Sequence, residues 1–575
     1  MTTAALTVGR RPWIILALIC VPVFLGSLDL TIVSAFLPEI IVKLELPVQS
    51  VIDDAAWIVT AYLLAYTVSM TFMGRVSDLI GRRAVFIACL IVFAIGSLIV
   101  AEVAYDARSG LAGVLYNLSF RLSGERPEPG NIALLTIIIG RVIQALGAGA
   151  LVPVALALVG DLFPPQKRAQ PLGLVGAIDT LGWVLGHLYG GIMVAAFAAA
   201  APAFADLFAR LGLNWDVPDW RWLFWINIPI TIAAIGLTWW ALRDVKSERA
   251  HGRFDWLGAL LLTVALVMLV LGLGANIDIS AAASDFSDLG GLPTYALPAV
   301  LGSALLFAAF LFTEWKVRDP LFDLRIFRRR NLSGGALVNL LVGFALMIAL
   351  VSVPILVNIR AADASALAEA ALQVGILLSA FTLPMALAAI PGGWVSTRLG
   401  YGRAAAIGLG LALVGFLLVW ATWELDTDNL IIALEMAVIG VGIGLTFSPI
   451  SAAVINAVEN DRLGSASALV IIMRLLGMTI GVALLTAIAS SRLSALASAE
   501  LGQTVVDPYA AIDVYSRLTV QVLTEIAFLG AVVCGIALVP ALLLKRLDAD
   551  PQSPAHSPSG RKDDVTAALE QPPSP

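Results

Sequence analysis

Gly74-Arg75-Val76-Ser77-Asp78-Leu79-Ile80-Gly81 recurs, weakly, as Gly393-Trp394-Val395-Ser396-Thr397-Arg398-Leu399-Gly400. A second window, Gly147–Gly182, aligns without a gap on Gly442–Gly477. Both of its copies open with G-x-G, and both end on a glycine followed four residues later by another, Gly182/Gly186 and Gly477/Gly481. In that register Asp179 falls on Arg474, each in an otherwise apolar stretch. A lone ionisable group in hydrocarbon costs roughly 2.5–3.5 kcal/mol on insertion scales, so it marks a functional site by default. Two such groups, opposite in sign and related by a repeat, point to a contact that opens and closes between two halves of a transporter.

The composition agrees. Of the 575 residues, 59% are hydrophobic and 13% charged, where soluble domains have about 25% charged; mean hydropathy is +0.93. The chain reads as an all-α polytopic membrane protein. A span needs about 20 mostly apolar residues, and the sequence between Pro12 and Leu544 divides into fourteen such runs. One set of loops carries Arg75/Arg82/Arg83, Lys167/Arg168, Arg243/Lys246/Arg249/Arg253, Arg318/Arg325/Arg328/Arg329/Arg330, Arg398/Arg403 and Lys545/Arg546. The other set carries Asp53/Asp54, Asp216/Asp219, Asp278/Asp285/Asp288 and Glu424/Asp426/Asp428. Basic loops stay cytoplasmic, so the expected topology is a multi-pass cell-membrane protein with both termini inside. Cys20, Cys89 and Cys534 all sit in apolar runs and imply neither a disulfide framework nor a metal site.

The two windows are offset by different amounts, 319 and 295 residues, so 24 residues must be extra between Gly81 and Gly147. The polar stretch Asp106–Asn131 accounts for them as an external insertion. The expected organisation is a cytoplasmic N-terminus over 1–11 and a six-helix bundle over 12–242 containing the 106–131 insertion. A linker over 243–331 with two extra spans follows, then a second bundle over 332–547 and a disordered cytoplasmic tail over 548–575. Ala198–Asp219 and Arg492–Leu518 read as external connections. Parallel repeats of this kind place a substrate site at their interface near the midplane.

The loop Gly74–Arg83 resembles the signature cytoplasmic loop of the major facilitator superfamily. Arg141-Val142-Ile143-Gln144-Ala145-Leu146-Gly147 resembles that superfamily's R-x-x-Q-x-x-G motif. Leu28-Asp29-Leu30-Thr31-Ile32-Val33 and Trp220-Arg221-Trp222-Leu223-Phe224-Trp225-Ile226-Asn227-Ile228-Pro229 are similar to the fourteen-span drug:proton antiporter branch. Within it, Ala56–Leu64, Gly186-His187-Leu188-Tyr189-Gly190 and the Asp179/Arg474 pair are similar to mycobacterial exporters of triacylglycerides and drugs. The resemblance implies the major facilitator fold, two pseudo-symmetric six-helix bundles plus two linker transmembrane helices. It implies a hydrophobic or lipid substrate, a proton gradient in place of any cofactor, and an external lipoprotein partner. Two departures stand out. His187 replaces the proline of the antiporter motif G-x-x-x-G-P-x-x-G-G, which here runs through Gly182, Gly186, Gly190 and Gly191. The external extension that those exporters carry between spans eleven and twelve is here the short Glu424–Asp428, so the lipoprotein partner carries over less well.

Individual residues then take expected roles. Gly74, Arg75, Asp78, Gly81, Arg82 and Arg83 form a cytoplasmic latch, with Asp78 placed to sit at a helix N-terminus; a solvated turn would explain the arginines but not the repeat. Asp29, mid-span with no sequence neighbour to neutralise it, is the proton carrier, or else a structural carboxylate with a basic partner. Arg141 and Gln144 lie one turn apart; by the resemblance Arg141 takes part in proton coupling, or else the two are a satisfied polar pair packing against Asp29 or Asp179. Asp179 and Arg474 either bridge the halves or pair within their own bundles, Asp179 for instance with Arg141. Gln144, Gly147, Gly182, Gly186, Gly190 and Gly191 belong to helix-packing surfaces, since small residues let helices approach closely. His187 could transfer a proton or simply pack. Glu435 and Glu525 read as interfacial residues near external span ends, Glu525 a weak candidate for the substrate path. No P-loop, nucleophile elbow or metal-ligand spacing is present, so the chain reads as neither an ATP-driven pump nor an enzyme, and nothing points to nucleic acid. A membrane-embedded lipid enzyme or a non-transporting scaffold are the rivals from other classes.

Overall fold

Hydrocarbon offers no water to a free backbone N–H or C=O, so a chain this apolar must close its backbone bonds within helices. The computed structural model describes residues 10–33, 36–44, 48–106, 109–212, 217–245, 249–272, 295–360, 367–501 and 508–545. Among them the elements are α-helices and short 3₁₀ turns, with no strand. The first half holds α1 (Arg10–Ile32), α2 (Leu37–Lys43), α3 (Val48–Ile80), α4 (Arg82–Ala101), α5 (Gly110–Ser123), α6 (Pro129–Leu162), α7 (Ala169–Leu211) and α8 (Arg221–Ala241). A helical hairpin follows, α9 (Trp256–Gly272) and α10 (Ala296–Lys316). The second half holds α11 (Arg330–Arg360), α12 (Leu367–Leu399), α13 (Tyr401–Thr422), α14 (Asn429–Ile455), α15 (Leu463–Leu501) and α16 (Pro508–Leu542).

Twelve described helices are long and apolar enough to cross a membrane, and up to thirteen if Ala169–Gly186 and Tyr189–Phe197, bent by 43°, count as one. Trp256–Gly272 is a shorter apolar helix of 17 residues. Three segments expected as connections are helical instead. Residues 198–211 extend α7, because Ala199, Ala200, Ala201 and Ala203 favour helix over loop. Arg492–Leu501 extends α15 for the same reason. The 106–131 insertion contains α5, closed by Gly124 in the left-handed region at φ 74°. Residues 1–9, the tail from 546 onward, Lys246, Asp216 and the acidic loop Asp278–Asp288 lie outside the described residues.

Most buried residues of α11–α16 make one large apolar core; those of α1–α8 make two more, one of which continues into the second half through Tyr401, Ala452, Ile455, Leu463 and Ile471. The repeat is visible in how helices touch. A Cβ on Gly147 would lie 2.4 Å from the Cys89 carbonyl of α4, and one on Gly149 would lie 2.4 Å from the Tyr66 carbonyl of α3. In the second half, a Cβ on Gly442 would meet the Ala412 nitrogen of α13 at 2.4 Å, and one on Gly444 the Met385 carbonyl of α12 at 2.0 Å. One helix thus contacts two neighbours through two glycines set two positions apart, twice over. The turns that end the two signature loops match as well, with Gly81 at φ 113° and Gly400 at φ 87°, conformations that favour glycine.

In the hairpin, Ser303 donates to the Ala265 carbonyl at 2.7 Å, and Phe254, just before α9, packs its ring edge-on to Phe72 of α3 at 6.2 Å. Leu476 of α15 packs against the hairpin core of Ala259, Leu262, Leu266, Phe310 and Leu321. The hairpin therefore lies against helices from both halves.

Gly149→Val should overpack the α6–α3 contact, a destabilisation of about 1–3 kcal/mol on the scale of overpacked cores, read as a lowered thermal unfolding midpoint in detergent. Gly191→Ala, where nothing lies within 4 Å, should leave it unchanged. Equal midpoints for wild type and Gly149→Val would contradict the close approach.

Candidate functional site: two charge pairs and one sealed end

The first charge cluster is enclosed by helices of the first half. Arg141 of α6 donates from Nη1 to Asp29 Oδ2 of α1 at 2.5 Å and to Gln144 Oε1 at 2.8 Å, and from Nη2 to the Asp29 carbonyl at 3.0 Å. Gln144 passes the chain on to Ser97 of α4 at 2.8 Å, and Asn227 of α8 donates to the other Asp29 oxygen at 3.1 Å. The Arg141 guanidinium lies 3.7 Å from the Tyr62 ring centroid and 5.8 Å from that of Phe224. Asp29 is 1% exposed, Arg141 and Gln144 0%. A buried carboxylate is tolerable only with its counter-charge and its remaining lone pairs satisfied, and here both conditions are met. Asp29 is thus not unneutralised: a residue 112 positions away supplies the charge.

The second pair crosses between the halves. Arg474 of α15 donates from Nη2 to Asp179 Oδ2 of α7 at 3.4 Å, while Ser27 of α1 donates to Asp179 Oδ1 at 2.6 Å. Arg474 also lies 4.7 Å over the Phe447 ring of α14. Asp179 therefore pairs across the halves, and Arg141 is taken by Asp29. The two face a cavity of about 80 Å³ whose other walls are mostly apolar, Leu30, Leu63, Met70, Leu346, Met385 and Met478 among them, with Ser27, Thr67 and Thr180 as polar lining. The glycine stripes position both charges. A Cβ on Gly182 would meet the Phe24 carbonyl of α1 at 2.7 Å, and one on Gly186 would meet Thr31 Oγ1 at 2.1 Å. A Cβ on Gly477 would meet the Leu340 carbonyl of α11 at 1.9 Å, and one on Gly481 the Met347 Cβ at 3.2 Å. Each stripe presses its helix onto the first helix of its own half, and the charge at its head is left facing the partner half.

The third cluster seals one end. Asp78, at the end of α3, accepts from the backbone N–H of Gly464 at 2.8 Å and of Ser465 at 2.9 Å, and from the Ser465 hydroxyl at 3.1 Å. These are orphan donors of the first turn of α15, and a carboxylate there also complements the helix dipole. Contact this close needs glycine on both sides: a Cβ on Gly74 would lie 2.2 Å from the Gly464 carbonyl, and the reverse holds at 2.2 Å. Arg82 binds Asp78 at 3.2 Å, pairs with Asp161 at the end of α6, and donates to the Asn460 carbonyl at 2.7 Å. On the other seam Asn456 donates to Tyr401 at 2.9 Å and to the Pro165 carbonyl at 3.0 Å, while Arg168 donates to Asn456 at 3.0 Å. Burial pushes the Arg168 guanidinium below its usual range, against the pull of Asp161. In the repeat register Asp161 corresponds to Asn456 and Arg82 to Tyr401, so one half's ion pair is the other half's neutral hydrogen bond.

The other expected residues divide as follows. Arg75 is buried beside this cluster with its Nε unpartnered, whereas Arg83 stands apart, its guanidinium 5.4 Å over the Trp239 ring. Glu435 is buried, accepting from Thr422 Oγ1 at 2.6 Å and Trp423 Nε1 at 2.8 Å, so it is a packed residue and not an interfacial one. Glu525 is at the surface in a two-pronged pair with Arg492, 2.9 and 3.1 Å, away from the cavity. Gly191 meets nothing within 4 Å. The His187 side chain lies outside the described residues. Sequence reasoning missed Asn227, Ser27, Tyr62 and the Tyr401–Asn456 bond. Carrying the repeat register onto Arg82 and Asp161 would have found the last.

A family model described as Major Facilitator Superfamily matches residues 19–364 and 336–572. The chain is 29% identical over 559 residues to a triacylglyceride transporter of Mycolicibacterium smegmatis, covering 93% of this chain and 88% of that one. It is 31% identical over 539 residues to a triacylglyceride transporter of Mycobacterium tuberculosis, covering 91% and 92%. Among solved structures, the human organic anion transporter MFSD10 matches with a TM-score of 0.54 at 14% identity, covering 91% of this chain and 99% of that one; at that identity the likeness concerns the fold alone.

Arg141→Ala should leave Asp29 buried without its counter-charge, at a cost of about 3–5 kcal/mol for breaking a buried pair. Thermal unfolding in detergent should show the loss, and Asp29→Asn combined with Arg141→Gln should restore part of it. If the double variant melts lower than Arg141→Ala alone, the pairing is not what holds this site.

Proposed function

The chain belongs to the Major Facilitator Superfamily, and from that premise we propose that it exports a hydrophobic compound, a neutral lipid of the triacylglyceride class, in exchange for protons by alternating access. Its family and its relatives are transporters and not enzymes. The observation that carries the reading is the Asp179–Arg474 pair, the charged feature of a mostly apolar cavity between the halves. A polar nutrient would need more polar lining than this. The substrate class follows the two relatives named triacylglyceride transporters.

The cycle follows from the charges. With the basic-loop end sealed by Asp78, Arg82 and Arg168, the halves part at the opposite end. Ligand pockets typically enclose about 300–1,000 Å³, so a cavity of about 80 Å³ must widen before a lipid enters. Substrate displacing Asp179, or a proton neutralising it, frees Arg474 and removes the tie that holds the halves together at mid-depth. Asp29 carries the proton and Arg141 tunes it: in the neutral carboxylic acid form Asp29 no longer needs the guanidinium, which turns to Gln144 and the Tyr62 face. Alternating exposure of that carboxylate to the two sides couples the gradient to the movement. In this orientation the basic loops and both termini are cytoplasmic. A second reading, a cationic amphipathic drug as substrate, draws on Asp179 itself, a negative group on the cavity wall.

Proteoliposomes under an imposed pH gradient test this with a fluorescent triacylglyceride analogue and a cationic dye. Gradient-driven lipid movement is expected in wild type, with a loss of at least about tenfold in Asp29→Asn, as for removal of one acid–base group. Asp179→Asn should let the lipid through with weakened dependence on the gradient. Dye movement without lipid movement would replace the lipid reading with the drug reading. Lipid movement indifferent to the gradient would remove the proton coupling.

A further inference from the structure

We propose that Asp255 and Glu314, on the helical hairpin between the halves, hold one proton between them, a proton-binding site separate from Asp29 and Asp179. Asp255 stands directly before α9; its Oδ1 accepts from the Gly258 N–H at 2.9 Å. Glu314 lies in the last turn of α10; its Oε2 accepts from the Phe322 N–H at 3.0 Å. The remaining oxygens, Asp255 Oδ2 and Glu314 Oε1, are buried and without a partner. Both converge on Gly258: each is 2.6 Å from the point a Cβ there would occupy, so they are no farther apart than twice that distance. Asp255 is 9% exposed and Glu314 3%.

Two ionised carboxylates this close in a water-poor site repel, and one shared proton turns the repulsion into an O–H···O⁻ hydrogen bond that satisfies both orphan oxygens. A proton is the smallest ligand that two converging carboxylate oxygens can share, and it needs no further ligating group. The surroundings tie the pair to the sealed end. Arg75 of α3 acts on Glu314 electrostatically, and faces in turn Asp78 of its own helix, Asp319 of the connection after α10, and Asp461 and Arg462 before α15. The flanks of the hairpin reach both sides of the seam. The Ala250 N–H donates to the Asp78 carbonyl at 2.9 Å, the Arg253 N–H to Asp319 at 3.1 Å, and Arg462 pairs with Asp323 at 2.9 Å. Protonated, the pair keeps the start of α9 against the end of α10 and the flanks across the α3–α15 seam. Loss of the proton drives the two carboxylates apart and loosens that strap. The site rests on the alternating-access reading, and on neither the substrate class nor Asp29 as carrier.

The test measures the seam and not transport. The full chain in lipid nanodiscs is spin-labelled at Ile80→Cys and Glu459→Cys, exposed positions on either side, and the distance distribution is recorded from pH 5 to 8. In wild type the closed-distance population should fall as pH rises, by up to about tenfold per pH unit, the limit for one proton. Glu314→Gln, which keeps a hydrogen-bond donor and cannot ionise, should hold the seam closed across the range, and Asp255→Asn should do the same. Glu525→Gln, at a surface carboxylate paired with Arg492, should keep the wild-type pH profile. An unchanged profile in both Glu314→Gln and Asp255→Asn would overturn the proposal. A single distance at every pH in all variants would overturn the alternating seam itself.

Discussion

The carboxylate of Asp78 closes the first turn of a helix that belongs to the other half of the chain, and the closed arrangement depends on that contact. It is possible because two glycines, Gly74 and Gly464, bring backbone against backbone, so a short side chain can reach two N–H groups at once. Everything else at that end is arranged around it. Arg82 neutralises the carboxylate and reaches Asp161 and Asn460, and the strap before α9 hydrogen-bonds to the Asp78 carbonyl. A carboxylate without the helix terminus, or the terminus without the carboxylate, would leave buried polar groups unsatisfied, and such groups are expensive in a water-poor setting.

The equivalent seam, α7 against α12, is built without the acid. Thr397 stands where Asp78 does in the first half and donates locally to the Trp394 carbonyl at 2.8 Å. Tyr401 and Asn456 make a neutral bond where Arg82 and Asp161 make a charged one. The backbone approach is kept, with a Cβ on Gly393 lying 2.6 Å from Gln170 Cα. One seam thus centres on a buried carboxylate and its ion pairs, and the other on a neutral Tyr401–Asn456 bond beside the Arg168 guanidinium.

Much of this architecture is legible in the sequence. The two signature loops gave the repeat, and the gap-free window Gly147–Gly182 on Gly442–Gly477 correctly paired the glycines that press α6 and α14 onto their neighbours. It also put Asp179 opposite Arg474. What the sequence could not supply was partner choice over long separations. Asp29 has no neutralising neighbour in sequence, and Arg141, 112 residues away, is only one of the partners the sequence leaves open for it; Glu435 reads as interfacial because its partners, Thr422 and Trp423, sit across a turn. Residues 198–211 and 492–501 are helical where connections are expected, for a different reason. Alanine-rich sequence continues a helix readily, and hydropathy reports where lipid ends, not where the helix does.

Asp179 touches the residue that is its own counterpart under the repeat. In an object with two-fold symmetry only a point on the axis meets its own image, so this contact marks the pseudo-two-fold axis of the molecule. Identical residues cannot prosper there if they are charged: two aspartates or two arginines would face each other with like sign. The position can be occupied by ions only once the halves have diverged in sequence, and opposite signs are then the arrangement that binds. The pair is therefore a place where asymmetry between duplicated halves is a physical requirement, and a substitution at either residue can be answered only at the other.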